Sequence, residues 1–247
     1  MDRDRLDRVL VSRGLVETRE EAIRLILAGS VKVDGVCADK QGKQVPTQAQ
    51  IEIAERAPFV SRAGGKLAGA LDAFGIDPLG WVAMDVGAST GGFTDCLLQR
   101  GARRVYAIDV GYGLIDWKLR QDARVVLLER TNIRYVVPEA IPELVDLVVI
   151  DVSFISLRLV LPSVLRFLRP TGRLVVLVKP QFEVGRGQVG RGGIVRDDEA
   201  RYQAVRDVMT CASELGLSEV GVVESPVQVK KGNREILLGL QWASQVG

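Results

Sequence analysis

Residues 82–95 read VAMDVGASTGGFTD, and this stretch decides the fold. Five residues suited to a buried strand, Val82–Val86, run directly into a turn holding Gly87, Ser89 and Gly91, and a helix is predicted to begin near Gly92. A strand, a glycine-containing turn and a helix, in that order, put the turn at the carboxyl edge of a parallel sheet, where open α/β folds bind their ligands. Small residues at 87, 89 and 91 let the backbone come close to a bound molecule.

Working outward, short β-branched runs alternate with helix-length segments. Strands are predicted over 82–86, 104–109, 124–128, 146–152, 174–178, 219–224 and 236–240, and helices over 93–100, 157–168 and 197–215. This is the pattern of a doubly wound α/β sheet. Toward the N-terminus the pattern changes. Leu6, Val9 and Leu10, then Ala22, Ile23, Ile26 and Leu27, recur at helical spacing over 5–14 and 18–28, with Gly14 between them, Thr18 as an N-cap and Gly29 as a stop. Val31 and Val33 followed by Asp34-Gly35 read as a small hairpin-like β element. Pro46 and Pro58 punctuate the exit, so the chain divides into a compact α/β module over 1–56 and a larger domain over 57–247.

Composition excludes several chemistries. The 247 residues contain no histidine, which removes histidine-based triads and relays and leaves a carboxylate, thiol, tyrosine or lysine as the base. Cys37, Cys96 and Cys211 show no Cys-x-x-Cys spacing, so neither a disulfide framework nor a metal site is expected. Apolar runs such as 174–178 fall far short of the roughly 20 residues a spanning helix needs. The charged start, Asp2 to Arg5, lacks a secretory pattern, and a cytoplasmic protein without membrane partners is expected. The net charge of +2 says little about partners, and residues 1–56 carry ten basic against ten acidic side chains. Residues 166–196 are locally basic, with Glu183 as the sole acid, a stretch suited to polyanions.

The second strand is predicted to end in Asp109, where a carboxylate can accept both hydroxyls of a ribose. Asp85, Gly87, Ser89, Gly91 and Asp109 together point to an adenosine-containing cofactor. Neither a P-loop nor the dinucleotide glycine spacing is present, so S-adenosylmethionine, which has no phosphate, fits best. Seven strands fit a methyltransferase sheet better than a six-stranded dinucleotide fold. Asn132 is placed to meet an adenine edge, and it reads equally as a turn former. Four ionisable residues sit at motif edges: Lys66 in SRAGGKL, Asp151 in VVIDVSF, Lys179 in VVLVKPQFE and Glu235 in KKGNREIL. Asp151 and Lys179 each end an apolar strand, which puts both at the edge that carries the cofactor turn, although single strand-end charges also simply meet solvent.

SRAGGKL, DVGASTGGFTD, IDVSF, VKPQFE and NREIL together resemble the TlyA or haemolysin A-type ribosomal RNA methyltransferases, relatives of the FtsJ-type ribose methyltransferases. RLDRVLVSRGLVETREEAIRLILAGSVKVDG resembles an RNA-binding module first described in a small-subunit ribosomal protein. The resemblance covers nearly the whole chain, with Thr18 where serine is common as a minor departure. It implies a Rossmann-like domain with a seven-stranded, mostly parallel sheet and a Lys-Asp-Lys-Glu set mapped onto Lys66, Asp151, Lys179 and Glu235. A ribose 2′-hydroxyl is a poor nucleophile that must lose its proton as the bond forms. Lys179 is the expected base, its charge disfavoured by burial and by Lys66, with Asp151 and Glu235 orienting the amines and Asp151 also facing the cofactor's methionine portion. Arg5, Arg8, Arg19 and Lys32 are the expected phosphate contacts, against the alternative of a solvated helix face, and the loop VGRGQVGRGG over 184–193 is expected to close over RNA.

The implied substrate is a cytidine of ribosomal RNA, met as RNA or as a ribosomal subunit. Methylation of a nitrogen is disfavoured because prolines are missing after Asp151 and lysines are added. Base C5-methylation lacks a strand-edge cysteine beside a proline. A non-catalytic ribosome-binding factor would not need the four ionisable residues, and the haemolysin name finds no secretion signal, spanning segment or lytic helix.

Overall fold

The computed structural model describes residues 3–27, 31–38, 40, 42–53, 58–226 and 233–242. They divide into two compact units, Met1–Pro58 and Phe59–Gly247. The boundary expected near residue 57 and the helix stop expected at Gly29 lie outside the described residues.

The first unit holds β1 (Arg3–Arg5), α1 (Leu6–Ser12), α2 (Arg19–Leu27), β2 (Val31–Val33), β3 (Val36–Cys37), β4 (Gln44–Pro46) and β5 (Ile51–Ile53). Leu6, Val9 and Leu10 of α1 pack with Ala22 and Ile26 of α2 against Val31, Val33 and Val45. Asp34 and Gly35 both take positive φ, 50° and 77°, as the two-residue turn between β2 and β3 requires. β2 pairs antiparallel with both β3 and β5, and β1 with β4.

The second unit opens with α3 (Arg62–Ala73) and continues through β6 (Val82–Val86), α4 (Gly92–Gln99), β7 (Arg104–Ile108), α5 (Trp117–Arg120), β8 (Val125–Leu128), β9 (Val145–Ile150), α6 (Leu157–Leu165), β10 (Leu168–Val178), α7 (Pro180–Glu183), α8 (Asp198–Glu214), β11 (Leu217–Glu224) and β12 (Ile236–Trp242). Within the described residues seven of these strands form one sheet in the order β11-β12-β10-β9-β6-β7-β8. β6 to β10 run parallel, and β12 is antiparallel to β10 and β11.

Every residue of β6 is buried, as a central parallel strand covered on both faces must be. The two-residue side-chain period divides its contacts. Val82, Met84 and Val86 join the core under α6 and α8, whereas Ala83 joins the core under α3 and α4. β10 begins at Leu168 rather than 174, and α6 stops at Leu165. The RPTG stretch lets the strand resume after a register shift between Leu168 and Arg173, with Thr171 at φ 68°. Among the described residues no helix is long and apolar enough to cross a membrane.

Candidate active site

Strand register sets the site. Val86 pairs with Ile108 and Ile150, so Gly87, Asp109 and Asp151 each stand one residue past a strand at the same sheet edge. Val178 pairs with Ile236 in the antiparallel pair β10–β12, which brings Lys179, just after one strand, beside Glu235, just before the other.

The glycine turn is tightly wound. Gly87, Ser89 and Gly91 all take positive φ, at 87°, 49° and 92°. A Cβ on Gly87 would lie 2.6 Å from the Asp151 carbonyl oxygen, so that position admits only glycine. Asp109 braces the turn from β7: its carboxylate accepts the Ser89 N–H at 2.7 Å and the Gly111 N–H at 2.6 Å. Lone pairs on both oxygens remain for further donors such as ribose hydroxyls.

Two adjoining cavities open at this edge and share Gly87, Ser89, Asp151 and Ser153. The larger, about 470 Å³, is walled by apolar side chains including Ile108, Val110, Leu114 and Ile133, with Asp109 and Asn132 as polar groups. Apolar walls with a few polar groups, the Asp109 carboxylate and the Asn132 amide among them, are the chemistry of a small-molecule site. The Asn132 side-chain oxygen accepts the Arg134 N–H at 3.1 Å, which is the turn-forming role. The smaller cavity, about 300 Å³, is lined by Ser61, Arg62, Lys66, Thr90, Asp151, Ser153 and Lys179, among others. Here the amines and carboxylates pair off. Lys179 Nζ lies 2.6 Å from Asp151 Oδ1 and 3.0 Å from Ser153 Oγ. Lys66 forms an ion pair with Glu235, which reaches the cavity through that contact. Each of the four side chains keeps 12–17% of its surface exposed, so the pairs are partly dry and their mutual attraction is stronger than on an open surface.

Two expected cofactor residues stand elsewhere. Asp85 lies inside β6, fully buried, accepting from Thr94 Oγ1 at 2.7 Å, and lines neither cavity because the strand runs one residue beyond it. Burial pushes its carboxyl up to about 7. Gly91 faces Leu119 and Ile115, where a Cβ would collide at 2.3 Å, and is a packing glycine; Gly92 takes the cavity position instead. Sequence reasoning also passed over Ser153 and Phe154, although both fall within the IDVSF motif. Phe154 is 91% exposed at the rim of the larger cavity, with φ 64° and its ring 5.0 Å from that of Phe182.

In the first unit two of the four cations expected to contact phosphate are paired with a buried carboxylate. Asp7, wholly buried, accepts from Arg5 Nε at 3.0 Å and Nη2 at 3.1 Å and from Arg19 Nε at 2.7 Å. The Arg5 and Arg19 guanidinium groups hold its carboxyl down at about 2. Arg5 and Arg19 therefore carry a structural duty, with 32% and 47% of their side chains exposed. Arg8 is 60% exposed and 3.9 Å from Asp4, and Lys32 is exposed on β2 opposite Glu52. Downstream, Asn233 fastens the far end of the glycine-rich basic loop by accepting from Val195 N–H at 2.7 Å and donating to the Gly193 carbonyl at 2.8 Å.

A seven-stranded sheet with the antiparallel β12 inserted beside β10, and an apolar cavity with the Asp109 carboxylate at its carboxyl edge, have the form of an S-adenosylmethionine-dependent methyltransferase. Residues 59–242 match the FtsJ-like methyltransferase model and residues 4–51 match the S4 domain model. The chain belongs to the FtsJ-like methyltransferase family. It is 50% identical to the 16S/23S rRNA (cytidine-2′-O)-methyltransferase TlyA of Mycobacterium tuberculosis over 97% of this chain and 90% of that protein. It is 42% identical to hemolysin A of Brachyspira hyodysenteriae over 94% of this chain and 98% of the relative. A solved structure from Streptococcus thermophilus, described as a hemolysin, superimposes with a TM-score of 0.76 at 42% identity, covering 99% of this chain and 90% of that one.

Proposed function

We propose that the protein methylates the 2′-hydroxyl of a cytidine in ribosomal RNA, with residues 1–56 serving to hold the RNA. The observation that carries the reading is the smaller cavity, where two lysine–carboxylate pairs adjoin the cofactor cavity. S-adenosylmethionine supplies the methyl group when bound. Asp109, Gly87, Ser89 and Asn132 would hold it, with Asp151 facing its methionine portion. Lys179 Nζ, once its amine is neutral, would take the proton from the 2′-hydroxyl and become the ammonium that Asp151 and Ser153 hold in place. Lys66, steered by Glu235, would place a second positive charge beside the reacting oxygen and stabilise the charge that develops there. The exposed Phe154 offers a ring face on which an unstacked base can lie, the usual way a protein holds a nucleotide drawn out of its helix.

Nucleoside mass spectrometry of ribosomal RNA incubated with protein and cofactor tests the reading. A gain of 2′-O-methylcytidine is expected. Methyl groups appearing only on bases, or no gain on RNA or on either subunit, would overturn it.

A further inference from the structure

The KPQFE segment gives Lys179 to the site, yet its last residue has no part in the chemistry above. Glu183 closes the single turn of α7, and its side chain is only 1% exposed. A carboxylate so deep must replace its lost hydration with donors. Among the described residues these come from the start of α6. Glu183 Oε2 accepts from Ser156 Oγ at 2.6 Å, Oε1 accepts the Leu157 N–H at 2.8 Å, and Arg158 Nε lies 3.9 Å away. Burial pushes the carboxyl above its ordinary range, and the hydrogen bonds from Ser156 and Leu157 oppose that push.

At the other end of the same five residues, Lys179 meets Asp151 and Ser153. Residues 179–183 are thus fastened to residues 151–157 at two points. Between these points stand the rings of Phe154 and Phe182, tilted by 51° to one another, with Phe154 in a left-handed conformation that a bulky residue adopts only when its surroundings impose it. We infer that Glu183 is a positioning residue: its hydrogen bonds to Ser156 and Leu157 lock the loop after β9 to the turn after β10 and so fix where Lys179 Nζ stands against Asp151 and Ser153. The functional part of this inference rests on the ribose reading, in which Lys179 handles the proton. Ser156 Oγ caps the Arg158 N–H and Glu183 caps the neighbouring Leu157 N–H, so the carboxylate fastens the head of α6 as well as the turn after β10.

The test compares Glu183→Ala and Glu183→Gln in the full chain. Hydrogen exchange comes first: the Ala variant should expose amides of 154–157 and 181–184 to faster exchange while those of β6 and β9 stay protected. Unchanged exchange in both segments would overturn the inference. Single-turnover methylation at saturating cofactor and RNA follows. The Ala variant should lose about tenfold to a hundredfold in rate, with cofactor affinity within about twofold of the parent, since a displacement near 1 Å suffices for such losses. The Gln variant keeps an acceptor for Leu157 and should recover most of the rate. Combining Glu183→Ala with Ser153→Ala should cost less than the product of the two single losses, because both act on the same amine. A parental rate in the Ala variant, a Gln variant as impaired as Ala, or independent losses in the double variant would each overturn it. An inactive parent chain would instead remove the ribose reading, and the exchange measurement would still decide whether Glu183 fastens the two segments.

Discussion

Lys66 and Glu235 stand 169 positions apart in the chain and meet as an ion pair in which neither side chain keeps more than 13% of its surface exposed. Removing one member leaves the other charged and largely dry. Glu235→Ala should therefore lower stability by about 2–3 kcal/mol, and the double variant Lys66→Met with Glu235→Leu should recover most of that in urea denaturation. Methyl transfer should stay lost in both. A double variant that regained turnover would show the pair to be scaffolding.

Lys179→Arg should abolish methyl transfer while leaving cofactor affinity nearly intact. The guanidinium keeps the positive charge near Asp151 but does not give up a proton at any working pH. Near-parental single-turnover rates in the Arg variant would assign Lys179 an electrostatic part only and require another base.

Asp109→Ala should weaken S-adenosylmethionine binding by about 1–3 kcal/mol in calorimetry, through lost charged hydrogen bonds. The variant also releases the Ser89 and Gly111 amides that the carboxylate now holds. Asp109→Asn, which preserves one acceptor oxygen, should lose less. Unchanged affinity in the Ala variant would remove Asp109 from the cofactor site.

Asp85 gives the stability of the second unit a pH dependence. Its carboxyl rises from 3.8 to about 7 on folding, so the folded chain binds this proton more tightly than the unfolded one. The contribution is full below pH 3.8 and is lost as pH rises through about 7. Asp85→Asn, which cannot ionise, should gain on the parent across that window by about 2–4 kcal/mol and then level off. Parallel stability curves for the two proteins from pH 4 to 8 would show that Asp85 does not titrate there.

A chain beginning at residue 57 should bind S-adenosylmethionine but hold ribosomal RNA poorly. The core of the second unit and every proposed cofactor and catalytic residue lie beyond residue 58. The deficit in RNA affinity should narrow as salt rises, because added salt weakens the phosphate contacts of the intact protein. Filter binding that gave equal affinities for the two chains would take the RNA-holding role away from residues 1–56.

The sheet was legible because buried parallel strands are mostly apolar and β-branched, and the runs at 82–86, 104–109 and 146–152 follow that pattern to within two residues of the observed strands. The ends were less so. Asp85 and Asp151 both looked like acids of the ligand edge, but Asp85 lies inside β6, one residue before Val86, and is buried, while β9 stops at Ile150 and frees Asp151. Which of two adjacent glycines faces a ligand depends on the winding of the turn, and composition is the same for Gly91 and Gly92. β1 and β4 are three-residue strands without a measurable period. Glu183 and Ser153 owe their contacts to two loops brought together by neighbouring strands, which spacing along the chain does not record.

Because β12 runs against β10, it delivers Glu235 at its beginning and then seals the inner strand from Val178 back to Arg173. The order of synthesis therefore matters. A chain emerging from the ribosome can fold β6 to β9 early, but it has no fourth ionisable residue and an open β10 edge until translation passes residue 242. A product cut short before that strand would keep the glycine turn and Asp109 while offering an unpaired apolar edge, a template for aggregation. Any step that needs Glu235 thus waits for the strand that joins β11 to β10.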